Sequence, residues 1–261
     1  MTTYQRRQSL LDVLRKQPGL RVPQLAKILG ISQGTVRNDF NALEEEGRLK
    51  RVYGGAVLNE QSQFENNSFL RRFQEHATAK LAIAREAVAL VNDGDSILLD
   101  ASSTSYYMAR ALSARERLRV MTNGFEVARE LAQNTSNTVI LIGGVVNNDS
   151  SSVTGLLSEQ IIAQIHIAKA FFSCSGFSLT RGMTEVHFEE AQLKRKAIES
   201  SKQVIALVDS SKMGKEDLTP FARPDQIANL ITDSELSTEW AEKIKQAGIN
   251  LTVCEPEAVA S

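Results

Sequence analysis

The chain has 261 residues, with 30 Lys and Arg against 31 Asp and Glu, 42% apolar residues and two cysteines. These are ordinary globular values. The longest apolar stretches, such as "TVILIGGVV", fall well short of the roughly 20 residues of a membrane helix, and "MTTYQRRQSL" at the start has no apolar secretion core. Cys174 and Cys254 lie in separate apolar runs, and His76, His166 and His187 are scattered. The sequence therefore predicts free thiols in a reducing cytoplasm, no metal site and no cofactor.

Near-neutrality hides a split. Residues 1–58 hold ten Lys and Arg against five Asp and Glu, a net of +5, and the remainder has a net of −6. A basic head on an acidic body points to an anionic partner for the head.

In chain order, Leu10, Leu11, Val13 and Leu14 fit one face of a helix stopped by Pro18 and Gly19. "VPQLAKILG" gives a second short helix closed by Gly30, and "ISQGTVRNDFNALEEEG" a third, capped by Ser32, with Val36, Phe40 and Leu43 inward and Gly47 as its end. Two helices joined by a tight glycine turn make a helix-turn-helix, whose second helix meets base edges. Gln33, Thr35, Arg37 and Asn38 alternate with the inward residues and form the candidate reading face. "RLKRVYGGAV" follows as a short hairpin, a wing whose Lys50 and Arg51 can reach phosphates; Arg6, Arg7, Ser32 and Tyr53 complete the candidate DNA-contacting set.

Residues 59–74, polar with isolated aromatics, are expected to be a linker between a DNA-binding domain at 1–58 and a second domain at 75–261. From residue 75, helical segments alternate with the short apolar strands "SILLD", "LRVMT", "VILIGG", "KAFFSCS", "QVIALVD", "NLITD" and "NLTVC". This alternation predicts an α/β domain with a mostly parallel sheet covered on both faces. Ligands of such sheets bind beyond the carboxyl ends of the strands. The polar residues there are Asp100, Ser102, Ser103, Thr104 and Ser105; Thr122 and Asn123; Gly143 and Gly144; Ser175 and Gly176; and Asp209 with Lys212. "DASSTS" supplies backbone N–H groups and hydroxyls at a helix start, the equipment for a phosphate. Lys212 can add a point charge, and Asp100, Glu185 and Asp209 can accept sugar hydroxyls.

"ISQGTVRNDFNALEEEGRLKRVYGGAV" resembles the N-terminal signature of the DeoR family of bacterial transcription regulators. Thr35, Val36, Arg37, Asp39, Leu43, Glu44, Gly47, Arg51, Gly54, Gly55 and Ala56 match it; Asn38 stands in place of a second Arg, Phe40 of Leu and Tyr53 of His. Further on, "DASSTS", "VMTN", "LIGG" and "DSSK" are similar to the turns of that family's effector domain, with Ser102 in place of Gly and Ser175 in place of a frequent Asp. The resemblance implies a winged helix-turn-helix followed by a domain of the ribose-5-phosphate isomerase type that senses phosphorylated sugars. It also implies a non-enzymatic homodimer or homotetramer that represses carbohydrate genes by binding double-stranded operator DNA. The alternative is a sugar-phosphate isomerase with Glu185, Asp209 and Lys212 in its acid, base and charge-stabilising roles. Such an enzyme has no use for the basic head.

Overall fold

The computed structural model describes residues 2–17, 19–58 and 68–255, in two compact units, Met1–Ser68 and Phe69–Ser261. In the first unit, α1 (Thr3–Lys16) opens with a capping box between Thr2 and Gln5. The second helix, α2 (Val22–Leu29), ends on Gly30 in the left-handed conformation at φ 65. Without a Cβ, Gly30 adopts this conformation freely and lets the chain turn into α3 (Gln33–Glu45). Ser32 caps α3 by accepting from Thr35 N at 3.0 Å. Leu10, Leu14, Leu25, Val36, Phe40 and Leu43 form the core of the unit. Strands β1 (Leu49–Val52) and β2 (Gly55–Leu58) pair as the antiparallel wing. Gly55 bridges to Arg21, and a Cβ there would stand 2.8 Å from the Leu20 carbonyl oxygen, so glycine lets the wing close on the three-helix core.

The second unit begins with α4 (Ser68–Gln74) and α5 (Ala77–Ala89). Residues 68–74, expected as linker, are thus helical: Phe69 is buried, and Phe73 stacks on Tyr107 with ring centroids 4.9 Å apart. Phe69 and Phe73, two of the aromatics read as isolated, are the docking side of α4. Residues 59–67 lie outside the described residues.

All seven expected strands form one parallel sheet: β3 (Ser96–Leu99), β4 (Arg119–Thr122), β5 (Thr138–Leu141), β8 (Ile167–Phe172), β11 (Ser201–Leu207), β13 (Asn229–Asp233) and β14 (Asn250–Cys254). Their order is β14-β13-β11-β8-β3-β4-β5. Alternate residues feed two cores. Leu98, Ala170, Phe172, Val204 and Ala206 enter one. Ile97, Leu99, Phe171, Ile205 and Leu207 enter the other. This is the burial on both faces that runs of apolar strand residues demand. The helices α6 (Ser103–Ala111), α7 (Phe125–Leu131), α8 (Leu156–Ala163), α9 (Phe188–Glu199) and α10 (Thr238–Gln246) accompany the sheet. Two elements were not expected from sequence: the hairpin of β6 (Val145–Asn147) with β7 (Ser152–Thr154), and a small antiparallel sheet of β9 (Gly176–Ser178), β10 (Gly182–Glu185) and β12 (Thr219–Ala222).

Strands β3, β4 and β5 extend the sheet one way and β8, β11, β13 and β14 the other. The direction reverses between β3 and β8, where ligand crevices of open α/β sheets form.

Candidate functional site

In the first unit, Gln33, Arg37 and Asn38 are exposed along one side of α3, opposite buried Val36 and Phe40. Arg37 donates to Gln33 Oε1 at 3.4 Å. Ser32 is held as the cap, its hydroxyl 2.8 Å from that of Thr35. On the wing, Lys50 is exposed, and Arg51 donates to Asn41 Oδ1 at 2.6 Å. Tyr53 stands fully exposed at the tip, beside Gly54 at φ 86.

Arg6 and Arg7 are arranged differently from the sequence expectation. Arg6 forks onto Asp39 at 2.6 and 3.0 Å, and Arg7 reaches Asp39 at 3.3 Å and Glu46 at 2.9 Å. Burial alone would raise the Asp39 carboxyl, but the hydrogen bonds from Arg6 and Arg7 more than offset this and hold it below its ordinary value. These guanidiniums brace α1 against α3 and set the pose of the reading helix, and are not free phosphate ligands.

In the second unit, Asp100 directly follows β3 and Ser173 directly follows the neighbouring β8, at the reversal point. Asp100 is buried, and its carboxylate accepts from Ser102 N at 3.2 Å, Ser105 Oγ at 2.6 Å and Ser173 N at 3.0 Å. Lys194 Nζ lies 2.9 Å from it and 2.5 Å from Glu185. Burial would raise the Asp100 carboxyl; Lys194, Ser102 and Ser105 reverse this and keep it ionised. For Lys194, burial would lower the ammonium, and Asp100, Glu185 and Glu190 override it and raise it. Asp100 therefore holds the turn together, and its acceptor capacity is not available to a ligand.

Over this buried ion cluster lies a cavity of about 230 Å³. Of the sequence candidates, Ser102, Ser103, Ser175, Glu185, Asp209 and Lys212 line it. The backbone N–H groups of Ser103 and Thr104, in the first turn of α6, find no acceptor among the described residues. Lys212 Nζ donates to Ser173 Oγ at 3.0 Å and lies 3.2 Å from Asp209 Oδ2. That Oδ2 is buried and lacks a well-formed hydrogen bond. Burial would raise Asp209, and Lys212 and Ser211 bring it below the usual carboxylate range.

The other candidates serve the frame. Thr104 and Ser105 are fully buried, and Thr122 Oγ1 accepts from Gly124 N at 3.0 Å. Asn123 donates to the Val153 carbonyl at 3.1 Å, and the Gly143 carbonyl accepts from Ser158 at 2.8 Å. A Cβ on Gly144 would overlap Ser158 Oγ at 2.3 Å, and one on Gly176 would lie 2.5 Å from the Lys215 carbonyl oxygen, so both glycines permit close backbone packing.

The cavity also takes Ser173, Cys174 and Ser211 from the strand-end stretches 173–176 and 209–212, and residues that the strand-end rule passed over: Arg72, Glu75, His76 and Lys80 from the α4–α5 corner, and Lys215. Lys80 is buried, and burial, with Lys212 nearby, pushes its ammonium down to about 8. Burial likewise pushes the Cys174 thiol up to about 12, so it stays neutral. Among the described residues no group of three His, Cys, Asp or Glu could hold a metal ion, and no helix is long and apolar enough to cross a membrane. The cavity offers lysine and arginine, an open helix-start N–H group and an under-used carboxylate. This suits a small ligand carrying both an anionic group and hydroxyls; drug-sized ligands occupy roughly 300–1,000 Å³.

Comparison with known proteins agrees with both halves. The DeoR-like helix-turn-helix domain matches residues 6–62 and the DeoR C terminal sensor domain residues 75–234. The HTH-type transcriptional regulator GolR of Listeria innocua is 36% identical over 98% of this chain and 100% of its own length. The lactose phosphotransferase system repressor of Streptococcus mutans is 32% identical over 90% and 94%, and the HTH-type transcriptional repressor GlcR of Bacillus subtilis 31% over 95% of each. Among solved structures, ribose 5-phosphate isomerase A of Methanocaldococcus jannaschii aligns at 21% identity and TM-score 0.39, covering 51% of this chain and 53%, about half, of that one. With both domain matches in order and relatives aligned from end to end, the chain belongs to the DeoR family of helix-turn-helix transcriptional regulators.

Proposed function

We propose that the protein is a cytoplasmic repressor of carbohydrate genes that binds operator DNA through α3 and the wing and is controlled by a phosphorylated sugar in the cavity. The observation that carries the ligand assignment is the pairing, in one small cavity, of the Ser103 N–H, which finds no acceptor among the described residues, with Lys80 and Lys212. The helix N-terminus and the ammonium groups favour a phosphate, and the cavity-lining Asp209, whose Oδ2 lacks a well-formed hydrogen bond, supports a sugar hydroxyl as a further partner. Binding without turnover is favoured because an isomerase needs a free general base. Here Glu185 is ion-paired with Lys194, and Asp209 is held by Lys212 and Ser211.

Two reading heads on one face of a duplex need half-sites about 10 base pairs apart or a multiple of that, so the working form is a homo-oligomer. An uncovered apolar belt supports this. Ile140 and Leu141 on edge strand β5, Val145 and Val146 on β6, and Leu156, Leu157 and Ile161 on α8 are all exposed.

Thermal-shift screening of the full chain against pentose and hexose phosphates and the parent sugars tests the ligand, since tight binders raise the midpoint by mass action. A phosphorylated sugar is expected to stabilise the protein and to change its affinity for a duplex selected from a random pool. Stabilisation by unphosphorylated sugars alone, or robust isomerase turnover, overturns the proposal.

A further inference from the structure

Lys80 sits on the buried face of α5, one turn before Ala84 and beside Ile83, where packing alone would call for an apolar residue. Its ammonium donates to the main-chain carbonyls of Arg72 and Glu75. These are carbonyls at the C-terminal end of α4, which no later turn of that helix can satisfy. Between the two helices the chain turns at His76, in the left-handed conformation at φ 52. Lys80 is therefore the cap of α4 and the clasp of the α4–α5 corner. The same side chain lines the cavity with Ser103, Asp209 and Lys212.

An ammonium group has three donors and no acceptor, and two of the donors are given to neutral carbonyls. A phosphate monoester is the stronger claimant, because it meets the ammonium with a full opposite charge where each carbonyl offers only a dipole. In chain order α4 comes directly after residues 59–67, which lead from the DNA-reading unit. We infer that Lys80 couples ligand to helix: a phosphate monoester in the cavity draws its ammonium off the Arg72 and Glu75 carbonyls and uncaps α4. This rests on the cavity being the phosphate site proposed above. It gives the two cavity walls different roles: the Ser102–Ser103 turn receives the anion, and the α4–α5 corner yields to it.

Hydrogen–deuterium exchange of the full chain, with and without inorganic phosphate and ribose 5-phosphate as separate probes, tests the coupling. Where a probe binds, the first turn of α6 becomes protected and peptides spanning residues 70–76 exchange at least about tenfold faster, as expected for loss of even one charge-assisted bond. Protection of α6 with unchanged or slower exchange at 70–76 overturns the coupling and leaves the phosphate site standing. No response in either segment at tens of millimolar probe overturns both. In Lys80→Met, residues 70–76 should exchange fast from the outset and no longer respond to either probe; wild-type exchange rates there refute the capping role. In Lys212→Met the probe response should weaken while the ligand-free protection of α4 stays as in the wild type. Should Lys80→Met fail to fold, the wild-type comparison alone still decides.

Discussion

Replacing Lys194 with Met removes a buried ammonium from between Asp100 and Glu185, at 2.9 and 2.5 Å, and from 4.8 Å over the Phe221 ring. Methionine keeps most of the volume, so the loss is electrostatic: two carboxylates remain buried without their cation. Breaking a buried ion pair from one side costs about 3–5 kcal/mol, which for a unit of this size lowers its melting midpoint by about 6–20 °C. The pH dependence identifies the mechanism. In the wild type the Asp100 carboxyl is held below its ordinary value, so its contribution to stability is complete above the unfolded value and lost as pH falls through the folded one. In the variant, burial is no longer opposed by Lys194 and the folded value rises above the unfolded one. The folded state then binds more protons than the unfolded state in that window, and stability falls as pH rises through it. The deficit of Lys194→Met against wild type should therefore be larger at pH 8 than at pH 5 in thermal melts of the full chain. Adding Asp100→Asn should recover part of it. A deficit below about 1 kcal/mol, the range of a solvent-exposed pair, or one identical at both pH values, would refute the reasoning.

Arg37→Ala should lower affinity for the selected duplex by about 5- to 150-fold, the 1–3 kcal/mol of a good base contact. The melting midpoint should stay unchanged, since Arg37 is exposed and its hydrogen bond to Gln33 is long, at 3.4 Å; an unaltered gel shift removes it from the reading face. Lys50→Ala should reduce the slope of log affinity against log salt by about 0.9, one phosphate's worth, and an unchanged slope excludes a Lys50–phosphate contact. The pair Leu156→Glu and Leu157→Glu should lower the oligomeric state in sedimentation experiments without loss of fold; wild-type assembly would move the interface away from the α8 belt.

The parts of the fold legible in sequence were those that repeat. Ser32, Gly30 and Gly47 punctuate the three-helix head at positions where only small or capping residues fit, and the seven apolar runs alternate with amphipathic segments closely enough to name every strand of the main sheet. The antiparallel strands β9, β10 and β12 are three or four residues long and give no usable period. In the site, Ser102, Ser103 and Lys212 were reached because strand ends point to them. Lys80 and Lys194 were not, because each lies in mid-helix. A signal was nevertheless present: Lys80 falls in line with Ala84 and Ala87, and Lys194 with Ala191, Ala197 and Ile198, on faces that are otherwise apolar or alanine-rich. A lysine on such a stripe needs a buried partner. For Lys194 the partners are Asp100 and Glu185; for Lys80 they are main-chain carbonyls beside a cavity.

That difference in partners decides which wall of the cavity can transmit a signal. The turn at Asp100 is fastened by Ser102, Ser105, Ser173 and Lys194, so a phosphate arriving at Ser103 meets a donor already aimed and displaces little. Preorganisation of this kind contributes affinity and no switching, because a ligand shifts an equilibrium only by the difference in its contacts with the two states. The α4–α5 corner has the opposite construction: an ammonium lowered to about 8 by burial, two neutral carbonyls as its partners, and a left-handed histidine at the turn. Its bonds are the ones a phosphate can outcompete, and so the contacts that differ between the ligand-free and ligand-bound states lie on the wall joined in sequence to the DNA-reading head.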